Sequence, residues 1–315
     1  MATAQATEVR AGAPARPSDG FRSLTTVISL FAPAVLILIV LVVIVTSLPA
    51  IKTFGAGFLT STVWNPPKEQ FGALPFIFGT VVTSFIALAL ALPIGIGVAL
   101  FLAEQGLTGL RTTLGTGVEL LAAIPSVVYG IWGLYILAPW LLLHVSQPLS
   151  EALGHIPFFA GPARQTNILI ASVILSVMIL PTLSSISREV IRAVPGGLRE
   201  ASVAMGATWW ETVWKVILPA ARTGIFGATI LSLGRALGET MAVTMTIGNT
   251  PRIQASLLQP AYTLASVIAN EFNEATGTLY PAALIELGLV LMLVTLVVNV
   301  LALLLVHRVS SEARI

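Results

Sequence analysis

Long apolar runs separated by short polar segments recur along the whole chain. Each is long enough to cross a bilayer as a helix, which needs about 20 apolar residues. Because the runs are continuously apolar rather than alternating, they predict helices and not the strands of a barrel. The predicted fold class is therefore an all-α membrane bundle of six spans, at about Thr25–Leu48, Phe71–Ala103, Leu120–Leu143, Ile168–Ile186, Gly224–Gly248 and Pro281–Val306.

The composition agrees with an integral membrane protein. Of 315 residues, 56% are hydrophobic and 10% are charged, and the mean hydropathy is +0.93. A soluble domain carries about 25% charged residues. The apolar runs are spread over the whole length, which excludes a soluble domain with a single membrane anchor.

The polar segments predict the domain organisation and the orientation. Residues 1–24, rich in Ala, Pro and Arg, are predicted to be a mobile tail, and residues 25–315 a transmembrane domain with a long polar loop at about 187–223. Outside the spans, the tail, this loop and the other segments on the same side hold 11 Lys and Arg residues, against 4 on the opposite side. By the positive-inside rule, both termini and the 187–223 loop are predicted to be cytoplasmic.

Cysteine and histidine give no sign of a metal centre. The chain has no cysteine, so it has neither a disulfide framework nor a thiolate site. His144, His155 and His307 are scattered with no zinc-site spacing, and we assign no metal. No basic run of the kind that binds nucleic acid occurs, so nucleic acid is not an expected partner.

Arg235 and Glu239 interrupt one of the most apolar parts of the chain, in the stretch LGRALGET. The runs Thr223–Gly234 and Thr240–Pro251 on either side carry no charge. At the centre of a membrane helix each charge costs roughly 2.5 to 3.5 kcal/mol on insertion scales. Four helical residues rotate by about 400°, so the two side chains are predicted to lie on one face within pairing reach.

Two interpretations of this pair are open. A neutralised ion pair would only fix helix packing, and Gly234 and Gly238 form a G-x-x-x-G pattern that lets another helix approach. Alternatively, the guanidinium of Arg235 contacts a translocating anion, while Glu239 holds it in place and weakens binding enough for release. Glu119, at the start of the third run, and Glu286, one turn inside the sixth, are weaker candidates that are expected to be interfacial.

The segment REASVAMGATWWETVWKVILPAARTG is too organised for a simple linker. Gly206 interrupts one helical stretch, Thr208 and Glu211 have capping-box spacing, and Pro219 is expected to mark another break, which predicts two short helices about a glycine corner. The second has a broad apolar face that needs either a protein partner or the lipid headgroups, and the residues alone leave both open. This face consists of Trp209, Trp210, Val213, Trp214 and Ile217.

The same segment resembles the EAA signature of ABC-importer permease subunits. The resemblance rests on Glu200-Ala201-Ser202, then Gly206, then Val216, and finally Leu218-Pro219, with the family spacing at every element. Ser202 in place of alanine and Val216 in place of isoleucine are mild departures. The stretches FGALPFIFGT, ELLAAIPSVVYGIWGLY and LGRALGETMAVTMTIGN, within residues 71–249, are similar to the PstC family of phosphate-transporter permeases.

The resemblance implies a six-helix type I ABC importer permease in a bacterial cytoplasmic membrane, without chemistry of its own. It implies that the loop at about 187–223 docks into a groove of a cytoplasmic ATPase. It also implies that Arg235 and Glu239 contribute to phosphate passage. The implied partners are a second, PstA-like permease, two copies of a PstB-like ATPase and a periplasmic PstS-like phosphate-binding protein. No cofactor is expected on this chain, which lacks a G-x-x-x-x-G-K-[ST] loop, and ATP and Mg²⁺ are expected to be used by the ATPase.

Rival functions are also open. The chain could be the paralogous PstA-type subunit or a permease for sulfate or molybdate, since such permeases share the EAA element. A gradient-driven carrier or channel would use Arg235, Glu239 and Glu286 as an ion relay, which the EAA loop argues against. A receptor-like membrane protein without transport would leave the central charges unexplained.

Overall fold

The computed structural model describes residues 19–104 and 108–311. The regular secondary structure within these residues is helical. We number the helices in chain order. Short helical turns at Gly57–Thr60, Pro66–Lys68 and Pro157–Phe159 lie in the connections. The helices are α1 (Asp19–Phe54), α2 (Leu74–Glu104), α3 (Thr108–Ala123), α4 (Ser126–Leu153), α5 (Ile168–Arg192), α6 (Gly196–Ala204), α7 (Trp209–Leu237), α8 (Met241–Thr246), α9 (Leu264–Glu271) and α10 (Leu279–Ser311).

The chain divides into two compact units, residues 1–45 and 46–315. The first unit is described from residue 19 and consists of the first part of α1, in which most of the apolar side chains from Val27 onward are exposed. Residues 1–18 of the predicted tail lie outside the described residues, and α1 begins at Asp19, inside the range assigned to the tail. The second unit holds all the other helices.

The prediction of six spanning helices is confirmed. Six helices among the described residues are long and apolar enough to cross a membrane, and the third and fifth differ most from the expected limits. The third span is Ser126–Leu153 rather than Leu120–Leu143, because Pro125 ends the preceding helix. The fifth is Trp209–Leu237 rather than Gly224–Gly248, because the second half of the polar segment at 187–223 continues directly into the spanning helix.

Three prolines of helices α4 and α7 are each preceded by a wide turn. Helices α4 and α7 contain π-helical turns at Gly133–Leu137, Leu142–Ser146 and Val213–Ile217. Each turn ends two residues before a proline, namely Pro139, Pro148 and Pro219. A proline ring clashes with the carbonyl four residues earlier, and a π turn at that place lets the helix continue past it.

The core of the second unit is formed by α2, α5 and α7, with α5 the most buried of the spanning helices. Its central cluster includes Ala91, Ile179 and Leu183. A second cluster, rich in aromatic rings, joins the start of α2 to α9 and α10 around Phe76 and Tyr262. A third cluster, including Ile191 and Val213, packs the start of α7 against α5 and α2.

Candidate functional site

The segment that carries the EAA resemblance is a helix, a corner and the start of a long helix. After α6, the backbone turns at Gly206, whose φ of +84° is a left-handed conformation that favours glycine. The predicted capping box is confirmed: the Glu211 amide donates to the Thr208 hydroxyl at 3.3 Å, and the Thr208 amide donates to the Glu211 carboxylate at 3.0 Å. This box starts α7 at Trp209.

The prediction of a second short helix that ends at Pro219 is wrong. Pro219 lies in the first turn after the π-helical turn Val213–Ile217, where its missing amide hydrogen and its ring are tolerated. Helix α7 therefore continues from Trp209 to Leu237 over 29 residues. The second half of the EAA-like segment, from Trp209, and the fifth span are therefore one helix.

The predicted apolar face of this helix is divided between the core and the surface. Val213 and Ile217 are buried and Trp209 is partly buried against them, whereas Trp210 and Trp214 are 61% and 64% exposed. A shallow groove of about 530 Å³ lies beside the corner. It is lined by residues of both helices, including Ala201, Ser202, Met205, Gly206 and Val216.

The signature residues themselves occupy different environments. Glu200, Ala201 and Pro219 are exposed, while Ser202 and Leu218 are partly buried. The hydroxyl of Ser202 lies 2.9 Å from that of Thr212, which connects α6 to α7 across the corner. Exposed signature residues beside a groove and two exposed tryptophans form a surface that can receive a protein partner.

Arg199, which sequence analysis did not single out, holds this element to the membrane helices. Its guanidinium donates to the Glu104 carboxylate at 2.6 Å, and to the carbonyls of Val194 at 2.7 Å and Ile191 at 2.8 Å. The ion pair is largely shielded, since the side chains of Arg199 and Glu104 are 25% and 11% exposed. Its position directly before Glu200 was the available sequence clue.

Arg235 and Glu239 do not form the predicted same-face pair. No ion pair joins them in the described residues, because α7 ends at Leu237 and Gly238 leaves the helical conformation with φ −92° and ψ 0°. The four-residue spacing brings side chains together only while the helix is continuous. The chain resumes a helix only at Met241, so this break lies within the apolar stretch predicted as the fifth span.

Each of the two charges lies where the backbone favours it. Arg235 is in the last turn of α7, where a cation meets the negative end of the helix dipole. Glu239 precedes α8, and its carboxylate accepts from the Ala242 amide at 3.3 Å. Arg235 also donates to the Thr182 hydroxyl of α5 at 3.2 Å. A polar Thr182 next to Pro181 inside an apolar run was the clue to this contact.

A second helix break lies beside the first. Pro125 separates α3 from α4 and cannot donate to the Leu121 carbonyl, its normal partner four residues earlier. The Tyr129 hydroxyl donates to that carbonyl instead, at 2.8 Å. The charge of Arg235 acts electrostatically on Tyr129, so the two residues are close in space. Helix α8 packs on α4 here. In a membrane, such irregular backbone is tolerated where it is buried in protein or lines an aqueous path.

The surface around Arg235 is open. Its side chain is exposed, and a Cβ added at Gly234 would meet nothing within 4 Å among the described residues. At Gly238 a Cβ would meet only the Gly234 carbonyl, at 3.7 Å. The guanidinium therefore offers free donors on a small-residue surface that a second helix or an anion can approach.

The weaker acidic candidates lie elsewhere. Glu119 belongs to α3 and lines a cavity with arginines of α3 and α5, so it does not open the third span. Glu286 is 6% exposed, so it is buried within the protein, and one of its carboxylate oxygens has no hydrogen-bond partner in the described structure. Among the described residues, no hydrogen bond or ion pair joins Glu119 or Glu286 to Arg235 or Glu239.

Comparison with known proteins places these features in a family. The family model described as "binding-protein-dependent transport system inner membrane component" matches residues 91–311. A protein of Mesorhizobium japonicum named phosphate transport system permease protein PstC is 47% identical, over 89% of this chain and 89% of its own length. Its namesake in Pasteurella multocida is 43% identical, over 93% and 92%.

Solved structures show the same fold at lower identity. A chain of a bacterial alginate ABC transporter, solved with an alginate pentasaccharide-bound periplasmic protein, matches with a TM-score of 0.61 and 18% identity, covering 92% of this chain and 96% of its own. A chain of the MetNI methionine ABC transporter matches with a TM-score of 0.50 and 19% identity, covering 76% and 94%. The predicted fold class, a type I ABC importer permease, is confirmed.

Proposed function

This chain belongs to the family of binding-protein-dependent transport system inner membrane components, and we propose that it is the permease subunit of an ATP-driven importer of inorganic phosphate. The single observation that carries the proposal is its identity of 43% to 47%, over about nine-tenths of the chain, to proteins named phosphate transport system permease PstC. These relatives are named as permeases, so the chemistry of ATP hydrolysis belongs to another subunit.

The continuity of α7 supports a mechanism. The helix begins at Trp209 beside the docking groove and ends at Leu237, two residues after Arg235. Its 29 residues span about 43 Å at 1.5 Å per residue. A displacement of the corner by an ATPase subunit would reach Arg235 along one helix, and would open or close the path at the break that follows it.

Arg235 is the residue that would contact phosphate. Its planar donors match phosphate oxygens, and the break at Gly238 provides the irregular backbone typical of transporter sites. Glu239, four residues away, would lower the affinity of the path enough for release, because a site that binds too tightly does not conduct. Thr182 would position the guanidinium when no anion is present.

The expected assembly follows from the open surfaces. A second, PstA-like permease would cover the small-residue surface at Gly234 and Gly238. A PstB-like ATPase dimer that uses ATP and Mg²⁺ would bind the exposed rings of Trp210 and Trp214. A PstS-like binding protein would deliver phosphate from the other side of the membrane. The excess of Lys and Arg predicts that the α6 side and both termini are cytoplasmic.

The test is uptake by the assembled complex in proteoliposomes. We expect ATP-dependent uptake of labelled phosphate that an excess of sulfate or molybdate does not inhibit. Arg235→Gln should lower uptake about tenfold or more, and Arg235→Lys should recover only part of it, because an ammonium lacks the planar fork. Lys52→Gln, which removes an exposed charge elsewhere, is the matched control.

Three results would contradict the proposal. Uptake of sulfate or molybdate in preference to phosphate would change the substrate. Gradient-driven transport by this chain without an ATPase would replace the importer by a carrier. Wild-type uptake by Arg235→Gln would remove Arg235 from the path while leaving the family assignment intact.

A further inference from the structure

Three arginines line one cavity near the C-terminal end of α5, the end that precedes α6. Arg111 comes from α3, and Arg188 and Arg192 from the last two turns of α5. The cavity has a volume of about 310 Å³ and is also lined by Gly115, Thr116 and Glu119. It is separate from the helix breaks, and none of its residues belongs to the path proposed above.

The cavity carries an excess of positive charge. Its three arginines face one carboxylate, that of Glu119, and the charges of Arg188 and Arg111 both act on Arg192. Among the described residues, one other acid contacts these arginines: Glu189 lies 3.8 Å from Arg192, and because its side chain is 73% exposed it is a weak partner. Like charges in a partly buried space repel unless an anion lies between them.

Donors in the cavity are also left without acceptors. The Nε atoms of Arg188 and Arg192 are inaccessible to solvent and have no hydrogen-bond partner in the described structure. Arg192 makes one long bond to the Leu102 carbonyl, at 3.5 Å. A buried donor without an acceptor costs about 1 to 3 kcal/mol, so the protein itself does not satisfy these two guanidiniums fully.

The walls leave room for a small anion. A Cβ added at Gly115 would lie 3.4 Å from the Nη1 atom of Arg188, so a larger side chain there would occupy the space in front of the guanidinium. Thr116 adds a hydroxyl to the lining. Two guanidinium forks and a hydroxyl are the donors that typically bind a phosphate group.

We propose that the cavity between α3 and α5, lined by Arg111, Arg188 and Arg192, binds a phosphate group. The group is either free phosphate or the headgroup of an anionic phospholipid, since basic pockets between membrane helices bind such headgroups. Arg188 lies six residues along α5 from Thr182, the contact of Arg235, or about 9 Å along the helix. A free ion in the cavity would therefore be one step from the proposed path, and this alternative rests on the proposed function; the lipid alternative does not.

The experiment uses the assembled complex with three variants, Arg188→Gln, Arg111→Gln and Gly115→Leu. The last keeps every charge and fills the cavity, so it remains informative if loss of an arginine impairs folding. Arg252→Gln, which removes an exposed arginine of the connection between α8 and α9, is the control. Equilibrium binding of labelled phosphate is measured in detergent, and native mass spectrometry counts phosphatidylglycerol retained by complexes from mixed phosphatidylglycerol and phosphatidylcholine vesicles.

A free-phosphate site predicts about tenfold weaker phosphate binding in all three variants, with phosphatidylglycerol retention unchanged. A headgroup site predicts loss of retained phosphatidylglycerol, with phosphate binding unchanged. If both measurements match the wild type and the control in all three variants, the proposal is wrong. Failure of the proposed function would be seen separately, as absence of ATP-driven phosphate uptake by the wild-type complex.

Discussion

The guanidinium of Arg199, beside the EAA-type residues, donates to the carboxylate of Glu104 at the end of α2, at 2.6 Å. The two residues are 95 positions apart, and Arg199 also donates to the carbonyls of Val194 and Ile191. One side chain thus connects the docking helix α6 to the ends of α2 and α5. We expect it to transmit force between the ATPase and the membrane helices.

Arg199→Ala is expected to uncouple ATP hydrolysis from uptake. The substitution leaves the Glu104 carboxylate shielded and unpaired, and hydrogen bonds to charged groups contribute about 1.5 to 3 kcal/mol each. ATPase activity should persist while phosphate uptake falls about tenfold. A double-mutant cycle with Glu104→Gln checks the link, because additive losses would show that the two residues act independently.

Trp210→Ala and Trp214→Ala are expected to weaken recovery of the ATPase during co-purification. Both rings are exposed on α7, next in sequence to Glu211 and Lys215, which line the groove at the corner, and tryptophans contribute strongly to interfaces. Trp140→Ala, at a tryptophan that is 53% exposed on α4, is the control and should leave recovery unchanged. If ATPase recovery were normal and only binding to lipid vesicles were lost, the tryptophans would instead contact headgroups.

Gly206→Ala is expected to strain the corner without a steric clash. A Cβ there would meet nothing within 4 Å, but φ is +84°, where a residue other than glycine costs roughly 1 to 2 kcal/mol. Gly206→Asn should cost less, since asparagine tolerates the left-handed region. In thermal unfolding of the purified chain, we expect stability to fall in the order wild type, Gly206→Asn, Gly206→Ala. Equal stability of the two variants would contradict the backbone explanation.

Gly206→Trp addresses the groove rather than the backbone alone. An indole at this position projects into the space where a partner is expected, so ATPase recovery should be lost beyond the effect of Gly206→Ala. Recovery equal to that of Gly206→Ala would show that the groove beside the corner does not receive the ATPase.

Gly79→Ala is expected to destabilise the packing of α2 on the connection that precedes α9. A Cβ at this position would clash with the Tyr262 carbonyl oxygen, and backbone atoms cannot rotate away as a flexible side chain can. Overpacking of this kind typically costs about 1 to 3 kcal/mol. Gly97→Ala in the same helix is the matched control, since a Cβ there meets nothing within 4 Å.

The measurement is the unfolding midpoint of both variants in the same detergent. Gly97→Ala should match or exceed the wild type, because alanine is the better helix former by about 1 kcal/mol. Equal midpoints for the two variants would mean that the connection around Tyr262 moves to accept the extra carbon.

The amino-acid sequence was sufficient to predict the number of spans, the capping box at Thr208 and the family, because each depends on residues close together in the chain. Hydropathy needs only about 20 consecutive residues, and a cap needs four. The resemblance of residues 200–219 to the EAA signature likewise rests on a local pattern. These predictions did not require knowledge of which helices are neighbours.

The positions of Arg235 and Glu239 relative to one another could not be predicted without the three-dimensional structure. Spacing predicted one helical face, but the helix ends at Leu237 and the two charges separate onto two helix ends. Packing of α7 and α8 against α5 and α4 supports that break, and such contacts join residues far apart in sequence. The Arg199–Glu104 pair and the arginine cavity arise in the same way, because local patterns carry no information about which distant charges will meet.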